Sequence, residues 1–174
     1  ELYQKNFPVI PTFDSLTDLQ KLPAVDRFVC KPKEGADSIG LEIISRQELS
    51  DFKIENSLVQ PFIDFEYEVS FYFLDRQLMY ALYAPDKKQR WQLTSYEPSQ
   101  EDVNFAEQFV EWNDLPYGIQ RVDACRTKDG ELLLVELEDL NPFLSLDLLK
   151  ENKREEFIAH FKQALSKVIE LSRK

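Results

Sequence analysis

Four charged residues in the stretch RVDACRTKDGELLLVELE have the types and the spacing of a cation site. Arg121 and Asp123 are two residues apart, and so are Glu136 and Glu138. Side chains two apart on a β-strand point to the same face of the sheet. If the stretch folds as two strands around its Asp-Gly turn, Asp123 lies opposite Glu136. Carboxylates that close repel each other unless a cation bridges them. The alternative is a solvated edge on which Arg121 makes an ordinary ion pair, and the apolar run LLLV disfavours it.

The composition restricts the chemistry of such a cation. The chain has two cysteines, Cys30 and Cys125, and a single histidine, His160, which are too few for a metal site built on sulfur or imidazole. Any metal must therefore be held by oxygen, which favours a hard ion such as Mg²⁺ or Mn²⁺. We interpret the cysteines as reduced, packed thiols of a cytoplasmic protein, with a disulfide as the alternative. His160 is interpreted as a packing or surface residue.

A second group of residues suits phosphate. Lys31 ends a predicted strand, and a loop with Gly35, Ser38 and Gly40 follows at once. Backbone N–H groups in such loops can surround phosphate oxygens, and the lysine adds a mobile positive charge. The loop matches neither GxxxxGK[ST] nor GxGxxG. Taken alone, it is better explained as a plain turn between two strands.

The segment LVQPFI contains a third feature. Pro61 has no N–H to donate, so it interrupts the hydrogen bonding of a sheet. A segment kinked there could join two lobes and offer the Pro61 carbonyl and the Ile63 N–H to a purine edge. The alternative is a proline that simply ends a strand, and by itself this alternative is favoured.

Length and charge restrict the class of protein. A chain of 174 residues with 43% hydrophobic residues forms one domain or two small lobes. Its formal net charge of −11 argues against a surface for nucleic acid or for an anionic membrane. No apolar run approaches the ~20 residues of a membrane-spanning helix. Because the sequence starts at Glu1 without a methionine, we expect it to be a domain of a longer protein.

Hydrophobic periodicity predicts a mixed α and β chain. A helix is expected over Ser15–Leu22, then two strands around the glycine loop, and a strand that ends at Pro61. An antiparallel meander follows, whose last strand is RWQLTSY, and after it come an amphipathic helix in QEDVNFAEQFVEW and the hairpin described first. A final helix is expected from Lys153 to Leu171. Its predicted inward-facing residues are Phe157, Phe161, Ala164, Leu165, Val168 and Ile169.

The order of these features resembles the ATP-grasp superfamily, which includes D-alanine–D-alanine ligase, glutathione synthetase and lysine-biosynthesis ligases. The features are Lys31 with its glycine loop, the break at Pro61, the antiparallel meander, and then R-x-D and E-x-E on adjacent strands. The resemblance covers nearly the whole chain. The ending VELEDLNPFLSLDLL is most similar to the branch that contains the D-cycloserine-forming ligase.

The resemblance implies an α+β ATP-grasp fold of two lobes, each with an antiparallel sheet and helices, with the nucleotide bound between them. Residues 1–59 would form the smaller lobe, with Lys31 and the glycine loop, and residues 60–174 the larger lobe, with the metal-binding acids. The resemblance also implies an ATP- and Mg²⁺-dependent ligase that joins a small-molecule carboxylate to an amine through an acylphosphate. The alternatives are an ATP-binding regulatory or assembly module without turnover, and a plain α+β protein without a nucleotide site.

Roles for individual residues follow from the same resemblance. Lys31 would contact the α- and β-phosphates, and the glycine loop would fold over the triphosphate. The other residues implied for the nucleotide are Gln60, Pro61 and Ile63 at the adenine edge, Val29 and Val135 along the adenine slot, and Glu66 at the ribose, with Glu68 as the rival.

For the metal, the resemblance implies Asp123 and Glu136, with Glu138 or Asn141 completing the set. Arg121 and Arg90 would stabilise the transferring phosphoryl group. The sequence departs from the family pattern in two ways. Many members have Asn where this chain has Glu138, and the family's additional ATP-contacting lysine has only Lys5 as a candidate before Lys21. We expect that lysine to lie in an N-terminal domain that is missing here.

Overall fold

The protein is described by a computed structural model that covers residues 1–14, 23–34 and 40–173. The chain divides into two compact units, Glu1–Asp64 and Phe65–Lys174. The division lies after Asp64 rather than after residue 59, because the strand that contains Pro61 pairs within the first unit. The helix predicted over Ser15–Leu22 lies outside the described residues.

The first unit is built on a three-stranded antiparallel sheet of order β2-β1-β3. Its strands are β1 (Arg27–Pro32), β2 (Glu42–Ser45) and β3 (Ser57–Pro61). One helical turn, α1 (Arg46–Leu49), begins in a capping box in which the Ser45 and Glu48 side chains bond each other's backbone N–H groups. Six buried residues form the core of this unit: Phe13, Phe28, Cys30, Leu49, Ile54 and Val59.

Pro61 ends β3, as its missing N–H predicts. It pairs with Phe28 at the edge of the strand register. The next residue, Phe62, resumes bonding by donating its N–H to the Arg27 carbonyl at 3.0 Å. The Pro61 side chain is buried, so the break in the strand is a packed feature of the first unit.

The second unit contains a five-stranded antiparallel sheet of order β6-β5-β4-β7-β8. The bounds are β4 (Phe65–Leu74), β5 (Gln77–Ala84), β6 (Thr94–Tyr96), β7 (Ile119–Thr127) and β8 (Leu132–Glu138). The prediction that β6 begins at Arg90 is wrong. Successive turns, in which Gln89 donates to the Asp86 carbonyl and Gln92 to the Gln89 carbonyl, leave only three residues to pair with β5.

The two longer helices of the second unit pack on opposite faces of this sheet. Helix α2 (Gln100–Asn113) contacts one face through Phe105, whose ring lies 6.4 Å from that of Phe71. Helix α3 (Glu151–Ser172) covers part of the other face, where the Phe157 ring lies 5.6 Å from that of Tyr80. Tyr80 pairs with Tyr72, and Tyr72 pairs with Arg121, so the α3 face is also the face of Arg121.

The predicted inward face of α3 is correct only in its first half. Phe157 is buried, and Phe161 and Ala164 pack partly against the core cluster. Leu165, Val168 and Ile169 are 47%, 37% and 50% exposed, so the prediction that they face inward is wrong. The reason is that the core cluster that covers α3 reaches only to Ala164 among the described residues.

Both cysteines are buried free thiols, as predicted, with Cys30 on β1 and Cys125 on β7. Within the described ranges, none of the helices has the length and apolar character that crossing a membrane requires.

Candidate active site

The hairpin of β7 and β8 brings the predicted acidic residues together. Asp123 pairs with Glu136, which confirms the pairing that the sequence predicts, and Arg121 pairs with Glu138. Asp123, Glu136 and Glu138 each present a carboxylate oxygen, and these three oxygens lie within 4.8 Å of one another. We call these three residues the acid cluster.

A β-bulge in β8 puts the acid cluster on one face. Ala124 pairs with Leu134, whereas the preceding residue, Asp123, pairs with Glu136, so that Val135 is the extra residue. In a regular strand Leu134 and Glu136 would point to the same face. The extra residue reverses the alternation, so Leu134 is buried while Glu136 joins Asp123. Sequence reasoning missed this bulge, although the run LLLV, in which apolar residues do not alternate with polar ones, was a signal of it.

The acid cluster fits a hard divalent cation. Its ligand atoms are all carboxylate oxygens, which Mg²⁺, Mn²⁺ and Ca²⁺ prefer. Mg²⁺ binds oxygen at about 2.0–2.1 Å and Ca²⁺ at about 2.3–2.6 Å, so opposite ligands of one ion lie roughly 4–5 Å apart. Adjacent ligands of an octahedral Mg²⁺ lie roughly 3 Å apart, so three oxygens within 4.8 Å of one another could hold one ion once their side chains move closer together.

Arg121 is bonded to two members of the acid cluster. Its Nε donates to both Asp123 oxygens at 3.0 Å, and its Nη2 donates to Asp123 Oδ2 at 2.8 Å and to Glu138 Oε1 at 2.6 Å. Its Nη1 donates to the Phe143 carbonyl at 3.2 Å. Burial acts to lower the pKa of Arg121, but the neighbouring carboxylates of Asp123 and Glu138 outweigh it, and the net pKa is raised.

Glu68 lies on the same sheet face as the acid cluster, which we call the acidic face, and on the strand β4 that separates β7 from β5. It lies two residues from Ser70, which pairs with Asp123, and Arg90 Nε donates to its carboxylate. Burial raises the pKa of Glu68, the Arg90 interaction lowers it, and the Asp123 charge raises it further, with a net upward shift. Glu66 instead occupies an irregularity between Phe65 and Tyr67 and is exposed. The structure therefore groups Glu68, and not Glu66, with the acid cluster.

The segment after β8 carries two exposed apolar side chains. Leu140 is 95% exposed and Phe143 is 75% exposed, and Asn141 lies between them on the surface. Only the Phe143 carbonyl is bonded to Arg121. Glu138 belongs to the acid cluster by geometry, and whether Asn141 joins it as a ligand stays a prediction.

The residues predicted to bind the nucleotide lie in the first unit, apart from Glu66, Glu68 and Val135. Val29 pairs with Gln60, and Lys31 pairs with Leu58, across β1 and β3. Gln60 Nε2 donates to Thr12 Oγ1 at 2.8 Å. Their proposed contacts with a nucleotide, and those of Pro61 and Ile63, stay predictions.

Gly40 is the one described glycine of the predicted phosphate loop, since Gly35 and Ser38 lie in the part that the structure does not describe. Its φ of +77° is a left-handed conformation that favours glycine. A Cβ at this position would also lie 3.0 Å from Pro32 Cγ. Position 40 therefore requires glycine for backbone reasons, whether or not the loop binds phosphate.

A cavity of about 390 Å³ lies elsewhere in the second unit. It is lined by β5 residues, by the segment that joins β6 to α2, and by the start of α3, including Tyr80, Pro98 and Lys150. None of the predicted site residues lines it.

No protein-family model matches the sequence, and no curated protein matches it. Solved structures do match. D-cycloserine synthetase DcsG superposes with a TM-score of 0.70 at 20% identity, covering 95% of this chain and 67% of its own. The macrocyclase MdnC of Microcystis aeruginosa MRC, bound to its precursor peptide MdnA, gives 0.63 at 15% identity, covering 87% and 54%. The ATP-grasp ligase PsnB, complexed with a precursor variant, Mg and ADP, gives 0.60 at 18% identity, covering 79% and 45%.

The chain has an ATP-grasp fold. The resemblance drawn from the sequence is therefore confirmed at the level of the fold, including its likeness to the D-cycloserine-forming ligase. The chain spans only about half the length of MdnC and PsnB. Its mixed α+β architecture with two antiparallel sheets matches the ATP-grasp prediction.

Proposed function

We propose that this chain is the ATP-binding part of an ATP- and Mg²⁺-dependent ligase that joins a carboxylate to an amine. The observation that carries the proposal is the acid cluster, with Arg121 beside it, on the sheet face that α3 partly covers in an ATP-grasp fold. Neighbours of known structure support it, since DcsG is a synthetase and PsnB a ligase that was solved with Mg and ADP.

Asp123 and Glu136 would hold the metal, with Glu138 or Asn141 completing the set. The bound dication supplies charge neutralisation for the phosphates. Arg121 and Arg90 would donate to the oxygens of the phosphoryl group as it moves. Burial of Arg121, whose side chain is 16% exposed, would strengthen such contacts by limiting the access of water.

The nucleotide would be held by the remaining residues. We assign Lys31 to the phosphates, with the loop through Gly35, Ser38 and Gly40 folding over them. Gln60, the Pro61 carbonyl and the Ile63 N–H would read the adenine edge, with Val29 and Val135 along its faces. Either Glu66 or Glu68 would bind the ribose hydroxyls, and the position of Glu68 on the acidic face favours Glu68.

The proposed chemistry has two steps. An oxygen of the substrate carboxylate attacks the γ-phosphorus, the bond to the β-γ bridging oxygen breaks, and an acylphosphate and ADP form. The amine then attacks the acyl carbon, loses a proton and expels inorganic phosphate, which leaves an amide. The protein positions the reactants and neutralises charge, so no serine, cysteine or histidine nucleophile is needed.

The substrates and the setting are part of the proposal. We propose a small-molecule carboxylate and an amine as substrates, a further N-terminal domain of the same protein as partner, and a cytoplasmic location. The free buried thiols of Cys30 and Cys125 are consistent with a reducing compartment.

The test is ATP turnover. The protein is incubated with Mg²⁺, ATP and a panel of amino acids and short peptides, and ADP formation is followed together with condensation products by mass spectrometry. ADP that accumulates only when both a carboxylate and an amine are present, at a ratio of one ADP per amide, is the expected result. Turnover of ATP without any condensation product would contradict the ligase proposal.

A second candidate is an ATP-binding regulatory or assembly module without turnover. The module predicts saturable binding of Mg²⁺-ATP and no ADP with any mixture, including when the chain is studied within a longer natural protein.

A further inference from the structure

Arg121 is bonded to the oxygens that a metal at the acid cluster would need. We propose that Arg121 is the built-in counter-cation of the metal-free cluster, and that a divalent cation displaces it from Asp123 and Glu138. Metal binding would thereby release the guanidinium for an anionic ligand. This inference rests on the proposed metal role of the acid cluster, but it does not depend on ligase chemistry.

The hydrogen bonds define which oxygens are already engaged. Both oxygens of Asp123 accept from Arg121, at 2.8–3.0 Å, and Glu138 Oε1 accepts at 2.6 Å. Across the described residues, Glu136 makes no hydrogen bond or ion pair, and it is exposed. A metal could therefore approach Glu136 directly, but it would meet the guanidinium at the other two members.

Electrostatics make the two cations compete. An arginine side chain does not lose its proton in proteins, so the only way to relieve repulsion between it and a dication is to move the guanidinium. Like charges a few ångströms apart repel strongly where water is limited, and Arg121 and Asp123 are only 16% and 17% exposed. The single positive charge of the guanidinium balances one of the three carboxylate charges, so a net charge of roughly −2 remains. The cluster therefore still attracts a divalent ion.

The released guanidinium has a nearby position to occupy. Nη1 already donates to the Phe143 carbonyl at 3.2 Å, in the exposed segment that follows β8. Movement of the outer side chain about this contact would leave Nε and Nη2 beside the metal with no acceptor. Two donors of an arginine fork next to a dication suit a phosphate or another oxyanion. Metal and anion would then promote each other's binding by the same factor.

The first test measures Mn²⁺ binding alone, by titration calorimetry, in the wild-type chain, Arg121→Gln and Arg76→Gln. Arg76 is the matched control, because it pairs with Asp114 on the same unit and its loss changes the net charge equally. We expect Arg121→Gln to bind Mn²⁺ at least about tenfold more tightly, which corresponds to roughly 1.4 kcal/mol, and Arg76→Gln to bind as the wild type does. Equal or weaker binding in Arg121→Gln, or no binding in any of the three proteins, would overturn the proposal.

The second test observes the guanidinium directly in the wild-type protein and uses a variant only to assign its signal. In ¹⁵N-labelled wild-type protein, the Arg121 Nε–H signal is assigned by its loss in Arg121→Lys, and Mg²⁺ is then titrated without nucleotide. The expected result is a saturable shift of the Arg121 signal with the Arg76 signal unchanged. An Arg121 signal that stays in place at saturating Mg²⁺ would show that both cations share the carboxylates, which contradicts displacement.

The two experiments separate this inference from the proposed function. Neither involves turnover, so a protein that never forms ADP can still show tighter Mn²⁺ binding in Arg121→Gln. A protein that ligates substrates but shows no competition between metal and Arg121 would retain its proposed function and refute the inference.

Discussion

Glu136 is the exposed member of the acid cluster, and it has no bonded partner within the described part of the chain. We predict that Glu136→Gln weakens Mn²⁺ binding by more than about tenfold. The free energy of unfolding without metal should stay within about 0.5 kcal/mol of the wild type, or rise as acidic repulsion falls. Calorimetric titration and urea unfolding measure the two quantities.

The control for this change is Glu131→Gln, an exposed glutamate just before β8. It should alter neither metal binding nor stability. Marked destabilisation of the metal-free protein by Glu136→Gln would instead identify Glu136 as part of a structural ion pair.

The two thiols make a separate prediction. Burial raises the pKa of both Cys30 and Cys125 to about 11, with the Glu42 and Glu68 charges adding to the respective shifts. Because the thiolate is the reactive form, neither should react with a disulfide reagent at pH 8 in the native protein. Both should react in denaturant, which a spectroscopic thiol count checks. Rapid labelling of a native thiol would contradict the burial described here.

Asp102 belongs to the scaffold on the opposite face of the sheet. It accepts from Arg126 and from Tyr96, at 2.9 Å in the latter case, and from the Ser99 N–H at 3.0 Å. Burial acts to raise its pKa, but these hydrogen bonds outweigh it, and the net pKa is lowered. We predict that Asp102→Asn costs roughly 3 kcal/mol at pH 7, because it leaves Arg126 without its charged partner.

The pH dependence of that cost has a defined sign. A carboxyl whose folded-state pKa is lowered stabilises the protein above its ordinary pKa of 3.8, and this stabilisation is lost as the pH falls through the folded-state value. The difference between the wild type and Asp102→Asn should therefore shrink below pH 3.8. The neighbouring Glu101→Gln is the control. A difference that does not change with pH would indicate lost packing rather than lost charge.

At the scale of elements, helix α3 separates into a packed and an exposed half. Phe157 is buried, whereas Leu165 is 47% exposed. We predict that Phe157→Ala lowers the free energy of unfolding by about 3–5 kcal/mol, and that Leu165→Ala changes it by about 0.5 kcal/mol or less. Denaturant unfolding compares the two variants. A large effect of Leu165→Ala would show that the second half is covered in solution.

Most of the elements could be predicted from the sequence, because the apolar residues of each element recur with the spacing that puts them on one face. In β4, apolar and polar residues alternate. In α2, apolar residues recur with helical spacing, and Ala106, Phe109 and Val110 are buried. Position-specific irregularities could not be predicted this way. The turns before β6 and the bulge at Val135 depend on backbone hydrogen bonds, and the exposure of Leu165 depends on where the sheet core ends.

The acid cluster was predictable for a different reason. An R-x-D pair and an E-x-E pair on the two strands of a hairpin meet when the strands pair, so the sequence predicts Asp123 opposite Glu136. The bonding of Arg121 to two of the three acids could not be derived, because spacing alone allows either an ion pair or a metal site. Glu68 joined the acidic face only through the strand register.

At the scale of the whole molecule, ligand binding should appear as stability. A ligand at ~100 times its dissociation constant adds about 2.7 kcal/mol to the folded state, which for a chain of this length raises the melting temperature by roughly 5–10 °C. We predict this rise with Mg²⁺-ATP, measured by differential scanning fluorimetry. ATP with a chelator is the control and should give a smaller rise. The absence of any rise with Mg²⁺-ATP would favour a protein without a nucleotide site.

The bulge at Val135 bears on how relatives of this chain should be aligned. A β8 strand without Val135 would still place Glu136 and Glu138 on the same sheet face as Asp123. The reason is that Leu134 and Glu136 already pair with consecutive residues of β7. Sequence searches with a fixed interval between the aspartate and the first glutamate would therefore overlook proteins that carry the same constellation. A pattern with one optional position in the leucine-rich run would recover them.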